Sequence, residues 1–183
     1  MSIKNILNKI IEKIKTIIIL KKLEILLDTN IFFTDRVLYK KGVLVFLKLS
    51  GLGVENNTLE LICGLTSLEH LVLNNNHGIT SVKGLQKLTN LTHLYLSNNS
   101  ISYIDSLADL NNLESLHLDG NRISDIYELR GLTNLRELFL NDNRLEMVGW
   151  LESLTELNCL HLHNNEINWE RCSLFIEGCK TYI

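Results

Sequence analysis

The chain has 183 residues, of which 45% are apolar and 21% are charged, and its formal net charge is −3. A chain of this length buries roughly 70% of its unfolded surface as a single domain, and its apolar fraction excludes a wholly disordered protein. Leucine and asparagine are abundant, with 38 and 21 residues, and the absence of proline excludes a collagen-like or PxxP-rich chain. Since leucine fills cores and asparagine favours turns, their joint excess indicates a unit in which both recur.

The charge is unevenly distributed along the chain. Residues 1–48 contain ten Lys and Arg but four Asp and Glu, whereas residues 49–183 contain eight and seventeen. The two parts therefore carry +6 and −9, which sum to the net charge of −3. A basic head on an acidic body indicates two parts with different surroundings.

The amino-terminal segment is apolar but punctuated by lysines. Apolar residues recur at steps of three and four from Ile3 through Ile18, which predicts an amphipathic helix with a basic polar face. We interpret residues 1–43 as a basic amphipathic N-terminal helical cap, because a stack of repeats exposes an apolar end that must be covered. Basic amphipathic helices also lie on membrane surfaces or bind partners, so residues 1–19 leave that hypothesis open.

Compartment signals are weak. No uninterrupted apolar run of ~7–15 residues marks a secretory leader, and none approaches the ~20 residues that span a bilayer. The four cysteines are scattered without a CxxC pair, which argues against a zinc site and a disulfide scaffold. We therefore expect reduced thiols in a cytoplasmic protein without a cofactor.

A single frame governs the middle of the chain. From Leu91, leucine follows at Leu94 and Leu96 and asparagine at Asn99, and the frame returns every 22 residues, at positions 113, 135 and 157. One repeat earlier, a unit longer by one residue begins at Leu68. These five regular repeats cover about residues 65–168.

Upstream, the frame is less regular. It fits from Leu44, but Leu52 occupies the asparagine position, and the unit is 24 residues long. We therefore assign residues 44–168 to one degenerate and five regular repeats. A partial match from Leu20 to Asp28 is a candidate for a seventh.

The spacing within a repeat predicts its structure. Alternation in Leu94-x-Leu96 predicts a short strand with both leucines on one face. The asparagine that follows can satisfy the backbone groups of a turning chain, and the apolar residues at every third position beyond it predict 3₁₀ or tight helical turns. Because one repeat cannot bury its own leucines, neighbouring repeats must stack. The predicted fold class is α/β, a solenoid with a parallel concave sheet, a convex side of short 3₁₀ or helical segments, and helical caps at both ends.

The carboxyl-terminal segment carries a different periodicity. Its apolar residues recur at steps of three and four from Trp169 to Ile183, which predicts a C-terminal capping helix over residues 169–183. This helix would cover the apolar end that the last repeat exposes.

With this frame the chain resembles the leucine-rich repeat family, in the 22-residue class found in the regulatory subunit of protein phosphatase 1 and in bacterial internalins. The resemblance rests on five repeats in register. It implies a non-enzymatic module for binding other proteins. The carboxyl-terminal segment lacks the cap motif rich in Tyr and Arg that is common in this class.

The strand positions that leucine does not occupy face the concave side. We number them from the first leucine of each repeat and name each column by its position. Column 3 is His70, His93, Ser115, Glu137 and Cys159; column 5 is Val72, Tyr95, His117, Phe139 and His161; column 7 is Asn74, Ser97, Asp119, Asn141 and His163; column 8 is Asn75, Asn98, Gly120, Asp142 and Asn164. Rings dominate column 5, and exposed rings are typical of interface anchors. The predicted partner-binding residues are His93, Tyr95, His117, Asp119, Glu137, Phe139, Asp142, His161 and His163.

The charge of these columns limits the kind of partner. They contain acidic residues but neither Lys nor Arg, so a phosphate backbone would be repelled and we do not expect nucleic acid. We expect a monomer that binds a protein with a neutral or basic surface. The phosphatase-subunit resemblance adds that Tyr95, Glu137, Phe139 and Asp142 match, in type and column, residues that grip the phosphatase. The histidines depart from that pattern.

Chemistry on this face is the less favoured interpretation. Ser115 lies between His93 and Glu137 in column 3, which suggests a triad, but an open sheet does not exclude water. His161 and His163 share a strand face and with a carboxylate could bind zinc, although histidine equally suits an interface. We therefore assign no catalytic residue and no metal ligand.

The sequence thus favours a cytoplasmic, non-enzymatic regulatory or scaffold subunit that binds a partner protein on its concave face. Two alternatives remain open. One is an extracellular recognition or adhesion protein of internalin type, and the other is a membrane-surface scaffold attached by its basic helix.

Overall fold

A computed structural model describes residues 3–31, 35–170 and 179–182. Its strands form one sheet in chain order. The first pair is antiparallel and every later pair is parallel. The strands are β1 Val37–Lys40, β2 Val43–Lys48, β3 His70–Val72, β4 His93–Tyr95, β5 Ser115–His117, β6 Glu137–Phe139, β7 Cys159–His161 and β8 Lys180–Tyr182.

Helical segments lie outside this sheet. The long helix α1 spans Ile3–Leu26 at the amino-terminal end, and α2 spans Asn56–Ile62. Later repeats have short 3₁₀ segments in the corresponding place, at Leu85–Lys87, Asp105–Leu107, Tyr127–Gly131 and Gly149–Ser153. The predicted solenoid, with its parallel concave sheet, its short convex helices and a helical N-terminal cap, is confirmed. None of the helices in the described ranges is long and apolar enough to cross a bilayer.

The core is a leucine column that runs the length of the solenoid. In the repeat that begins at Leu91, the side chains of Leu91, Leu94 and Leu96 are completely buried, as are Ile101 and Leu107 on the convex side. The same positions are buried in the next two repeats, which begin at Leu113 and Leu135. Since burying one such side chain contributes about 1.5–3 kcal/mol, this lateral packing is the main source of stability.

The asparagines of the repeats satisfy backbone groups at the turns, as predicted, and together they form a ladder along the solenoid. The Asn121 side chain donates to the carbonyls of Leu96 (3.0 Å) and Leu118 (2.9 Å) and accepts from the Ile101 backbone N–H (3.0 Å). Each link therefore joins two neighbouring repeats. The equivalent residues Asn76, Asn99, Asn143 and Asn165 make the same type of contact.

A second ladder runs along the loops that enter the strands. Asn90 donates to the Thr66 carbonyl at 2.9 Å, and Asn112 donates to the Thr89 carbonyl at 2.8 Å. Asn134 continues the series at 2.7 Å. These residues precede the first leucine of their repeats, so the same 22-residue spacing carries two rows of cross-repeat hydrogen bonds.

Column 8 is set by backbone conformation. Its five residues all have positive φ, between 55° and 66°, in the left-handed region that Gly, Asn and Asp tolerate best. At Gly120 the constraint is also steric, because an added Cβ would collide with Oδ1 of Asn98. The residue types in column 8 are therefore determined by the backbone conformation of the turn rather than by a binding role.

Three sequence expectations need correction. The candidate repeat from Leu20 to Asp28 is wrong, because α1 continues to Leu26 and its apolar residues pack as a helix. The segment 1–43 is not purely helical, since β1 pairs with β2. The predicted helix over 169–183 is wrong at its end, where β8 pairs in parallel with β7, and its central part, residues 171–178, lies outside the described residues.

The ladder predicts a large cost for one amide. Asn121→Ala should lower the free energy of unfolding by about 2–5 kcal/mol, because it leaves buried backbone groups of two repeats without partners. Urea unfolding measures this loss. Asn111→Ala is the matched control, since the Asn111 side chain is exposed and donates to a carbonyl of its own loop. Equal stability of the two variants would contradict the ladder's role.

Candidate functional site on the concave face

The concave columns form as the repeat frame predicts. In column 3, His70 pairs with His93 and Ser115 pairs with Glu137; in column 5, His117 pairs with Phe139. Neighbouring members therefore stand about 4.8 Å apart along the sheet. The sheet also extends both columns, with Phe46 and Lys48 at the β2 end and Lys180 and Tyr182 at the β8 end.

Eight rings on this face form one continuous series. His117 and Phe139 stack with centroids 4.1 Å apart and planes 17° apart, and Phe139 and His161 follow at 4.5 Å. His70 and His93 stack at 4.3 Å in column 3. The full series, which we call the ring stack, is Phe46, His70, His93, Tyr95, His117, Phe139, His161 and His163.

The ring stack lies on the open side of the sheet. Tyr95, His117 and Phe139 are half-buried, whereas the leucines between them are completely buried. The rings owe this partial burial to one another, because each covers one face of its neighbour. The other edge of each ring remains available for contact.

Partial burial sets the charge of the imidazoles. Burial lowers the pKa of His70, and the neighbouring His93 lowers it further. Burial also lowers the pKa of His117, although the carboxylates of Asp119 and Glu137 oppose the effect. His161 follows the same pattern, with burial first and His163 second. These three rings are therefore neutral at pH 7.

An acidic and amide-rich edge borders the ring stack. Ser97 Oγ donates to Asp119 at 2.7 Å. Asp142 accepts from Asn164 at 2.7 Å and from Asn141 at 2.6 Å, and these two hydrogen bonds lower the pKa of its carboxyl group. The carboxylates are thus held in position by neighbouring repeats before any partner arrives.

The geometry does not assemble a catalytic triad. Ser115 Oγ donates directly to the Glu137 carboxylate at 3.0 Å, and Ser115 is buried. The Nδ1 atom of His93 instead lies 2.9 Å from the hydroxyl of Thr92. Serine and histidine are therefore each bonded elsewhere, and the serine–histidine hydrogen bond on which a triad depends is not formed.

The histidine pairs are arranged as ring contacts. His161 and His163 meet edge to face at 6.1 Å, and His70 lies flat against His93. Within the ranges that the structure describes, no group of three or more His, Cys, Asp or Glu side chains gathers around a common point.

All nine predicted partner-binding residues lie on this face. His93, Tyr95, His117, Phe139, His161 and His163 belong to the ring stack, and Asp119, Glu137 and Asp142 lie beside it. The partner-binding residues predicted from the sequence did not include Phe46 and His70, which begin the ring stack. The frame from Leu44 would have found Phe46, since it places this residue in column 3.

Comparisons with known proteins agree with this architecture. The family model described as Leucine Rich repeats (2 copies) matches residues 66–106, 89–131 and 133–170. A structure of internalin C2 from Listeria monocytogenes is 37% identical with a TM-score of 0.65, and the match covers 68% of this chain and 54% of that one. Internalin InlF from the same organism is 33% identical with a TM-score of 0.63, over 67% of this chain and 36% of that one.

The crystal structure of a pollen receptor kinase 3 is 25% identical with a TM-score of 0.62, over 75% of this chain and 72% of that one. In length, the present chain spans about half of internalin C2 and about a third of InlF. No curated protein matches the sequence.

The ring stack predicts a pH-dependent stability. Because the folded state lowers the pKa of His70, His117 and His161, it binds fewer protons than the unfolded chain below the unfolded value of about 6.5. The stabilising contribution is fully present above that value and is lost as pH falls towards the folded pKa. We expect the free energy of unfolding, measured in urea, to decrease between pH 7.5 and pH 5.

His117→Gln should flatten this dependence, because the substitution removes one of the groups that titrates. His77→Gln is the matched control, since His77 is exposed in a loop outside the ring stack. The hypothesis fails if both variants retain the slope of the wild type.

Proposed function

Because the chain belongs to the leucine-rich repeat family, we propose that it binds a partner protein on its concave face as a non-enzymatic regulatory or scaffold subunit. The observation that carries this proposal is the ring stack, a row of half-buried rings on the open face of a rigid sheet. Aromatic rings are enriched among the residues that dominate binding energy at protein interfaces.

Preorganisation supports the same conclusion. His117 and Phe139 each lie between two rings whose centroids are 4.1–4.6 Å away. The other rings of columns 3 and 5 each contact at least one neighbouring ring, at centroid distances of up to 6.4 Å. The side chains are therefore already ordered before binding, and the entropy lost on association is small. A partner gains contact with a continuous strip of rings at little ordering cost.

The charges beside the ring stack favour a protein with a neutral or basic surface. Asp119, Glu137 and Asp142 lie on the strip, and the histidines with lowered pKa add no positive charge at pH 7. Two lysines lie at the ends of this face: Lys48 extends column 5 at the β2 end, and Lys180 extends column 3 at the β8 end. A basic partner surface would be attracted by these carboxylates, which increases the rate of association. The same carboxylates would repel the phosphate backbone of a nucleic acid.

A second candidate function follows from the relatives. Similarity to internalin C2 at 37% identity supports a surface recognition protein of internalin type, whereas the regulatory or scaffold subunit of the main proposal would reside in the cytoplasm. The two hypotheses differ in where the chain resides. Protease added to intact cells that express the protein would digest a surface-exposed chain and leave a cytoplasmic one whole.

The main proposal predicts which substitutions weaken partner capture. Tyr95→Ala together with Phe139→Ala should reduce recovery of the bound partner by about tenfold or more, because hot-spot rings each contribute about 2 kcal/mol or more. Cross-linking followed by mass spectrometry identifies the partner and quantifies its recovery.

The control is Tyr103→Ala, which removes a ring that is 75% exposed and lies outside the concave columns. It should leave recovery unchanged. Circular dichroism and thermal unfolding of each variant verify the fold. Recovery of every partner at wild-type level with the concave double variant would contradict the proposal.

A further inference from the structure

Helix α1 carries an apolar stripe that remains substantially exposed in the described structure. The side chains of Ile6, Leu7, Ile10, Ile11, Ile14, Ile17 and Ile18 are each between 40% and 55% exposed. With 3.6 residues per turn, these positions share one side of the helix. We call them the α1 stripe. A contiguous exposed apolar surface of this kind marks an interaction site.

The contact that caps the repeats uses a different side of α1. Leu20 and Leu23 are completely buried, and Ile19 meets Gly64 near the end of α2. Leu23 lies nine residues beyond Ile14, which is two and a half turns, so the two point in opposite directions. Capping therefore leaves the α1 stripe unused, because the residues that cover the end of the core lie in the last third of the helix and just beyond it, up to Ile31.

Lysines border the α1 stripe on both sides. At about 100° per residue, Lys4, Lys15 and Lys22 follow one border and Lys9 and Lys13 follow the other. Lys21 lies in line with the stripe and ends it. The helix contains six lysines against Glu12 and Glu24, a formal charge of +4.

The β1–β2 hairpin extends this surface. A groove between the hairpin and α1 is lined by Ile10 and Ile17 on one side and by Tyr39 and Val43 on the other. Tyr39 and Val43 are themselves exposed. Lys41 at the hairpin turn adds a further exposed positive charge beside Lys13, which reaches Gly42. Apolar and basic groups thus alternate over the whole amino-terminal end.

We propose that α1 lies flat on the surface of an anionic lipid bilayer, with the α1 stripe among the acyl chains and the bordering lysines on the headgroups. An aliphatic strip between two rows of lysines matches this boundary, because lysine stems remain in the apolar region while their ammonium groups reach the phosphates. Attachment is peripheral, since α1 does not meet the requirements of a spanning helix.

Other occupants fit the surface less well. A nucleic acid would satisfy the lysines but would leave seven isoleucine and leucine side chains in contact with a charged backbone. A second copy of the chain would bury the α1 stripe but would bring two helices of charge +4 together. A lipid surface satisfies both features at once.

Flotation of the full chain with vesicles tests the proposal. We expect the chain to float with vesicles of phosphatidylcholine containing phosphatidylserine and to bind vesicles of phosphatidylcholine alone much more weakly. Raising salt from about 0.1 M to about 0.5 M should reduce binding, because it screens the lysines. Equal binding to both vesicle types, or none to either, overturns the proposal.

Two variant pairs separate the apolar and the charged contributions. Leu7→Gln with Ile14→Gln should lower partitioning by about tenfold or more, whereas Tyr103→Gln with Met147→Gln, at exposed apolar positions elsewhere, should not. Lys4→Gln with Lys22→Gln should weaken binding only to anionic vesicles, and Lys83→Gln with Lys87→Gln serves as the matched control.

All these positions are exposed, so thermal unfolding should be unchanged and a lost fold is distinguishable from lost binding. Light scattering after gel filtration examines the competing occupant. If the wild-type chain is a dimer and Leu7→Gln with Ile14→Gln makes it monomeric, the α1 stripe binds a second copy of the chain and the proposal is overturned. Vesicle binding that is unchanged in this double variant would also overturn the proposal.

Discussion

Lateral stacking is the constraint on which the whole molecule depends. A single 22-residue turn has a row of leucines that it cannot bury alone, and only the turns on either side can cover it. The backbone groups at each corner face the same difficulty, and Asn99 or Asn121 resolves it by bonding to its own turn and to the preceding one. Leucine burial and amide bonding therefore act along the same axis and stabilise the same neighbours.

This constraint leaves the concave face free to serve another purpose. Since the leucines and asparagines hold the backbone, the residues of columns 3 and 5 are not needed for the core. The repeat still orders these side chains, because a strand spacing of about 4.8 Å is close to the centroid separation of stacked aromatic rings. His117 thus lies against Phe139 at 4.1 Å as a consequence of the repeat itself. The surface is rigid because the solenoid is rigid.

The repeat frame made most of this architecture predictable from the sequence. A period of two within the strand and 22 between strands was enough to place Tyr95 beside His117 and both on the open face. The hydrogen-bond partner of Ser115 was not predictable, because a column specifies neighbours but not which neighbour a hydroxyl selects. Column 8 looked like a binding column, yet its Asn, Gly and Asp are required by positive φ.

The ends were harder to predict for a related reason. Periodicity identifies a helix but not which of its sides packs, and α1 has apolar residues on two sides. The stronger signal, from Ile6 to Ile18, belongs to the exposed side, whereas Leu20 and Leu23 perform the capping. At the other end, β8 continues the sheet where the spacing indicated a helix. In both places tertiary contacts outside the repeat frame decided the outcome.

The uneven charge of the chain acquires a structural meaning when these surfaces are considered together. The +6 of residues 1–48 lies on α1 and the adjoining hairpin, while the −9 of the remainder lies on the repeats. Near an anionic surface such a molecule is oriented by its own field, since the head is attracted and the repeats are repelled within a Debye length of roughly 8–10 Å. The hairpin is the first strand pair of the sheet and the parallel strands continue away from it, so most of the ring stack lies away from the end that carries the lysines. The two surfaces can therefore be occupied at the same time, and binding at one does not require the other to be released.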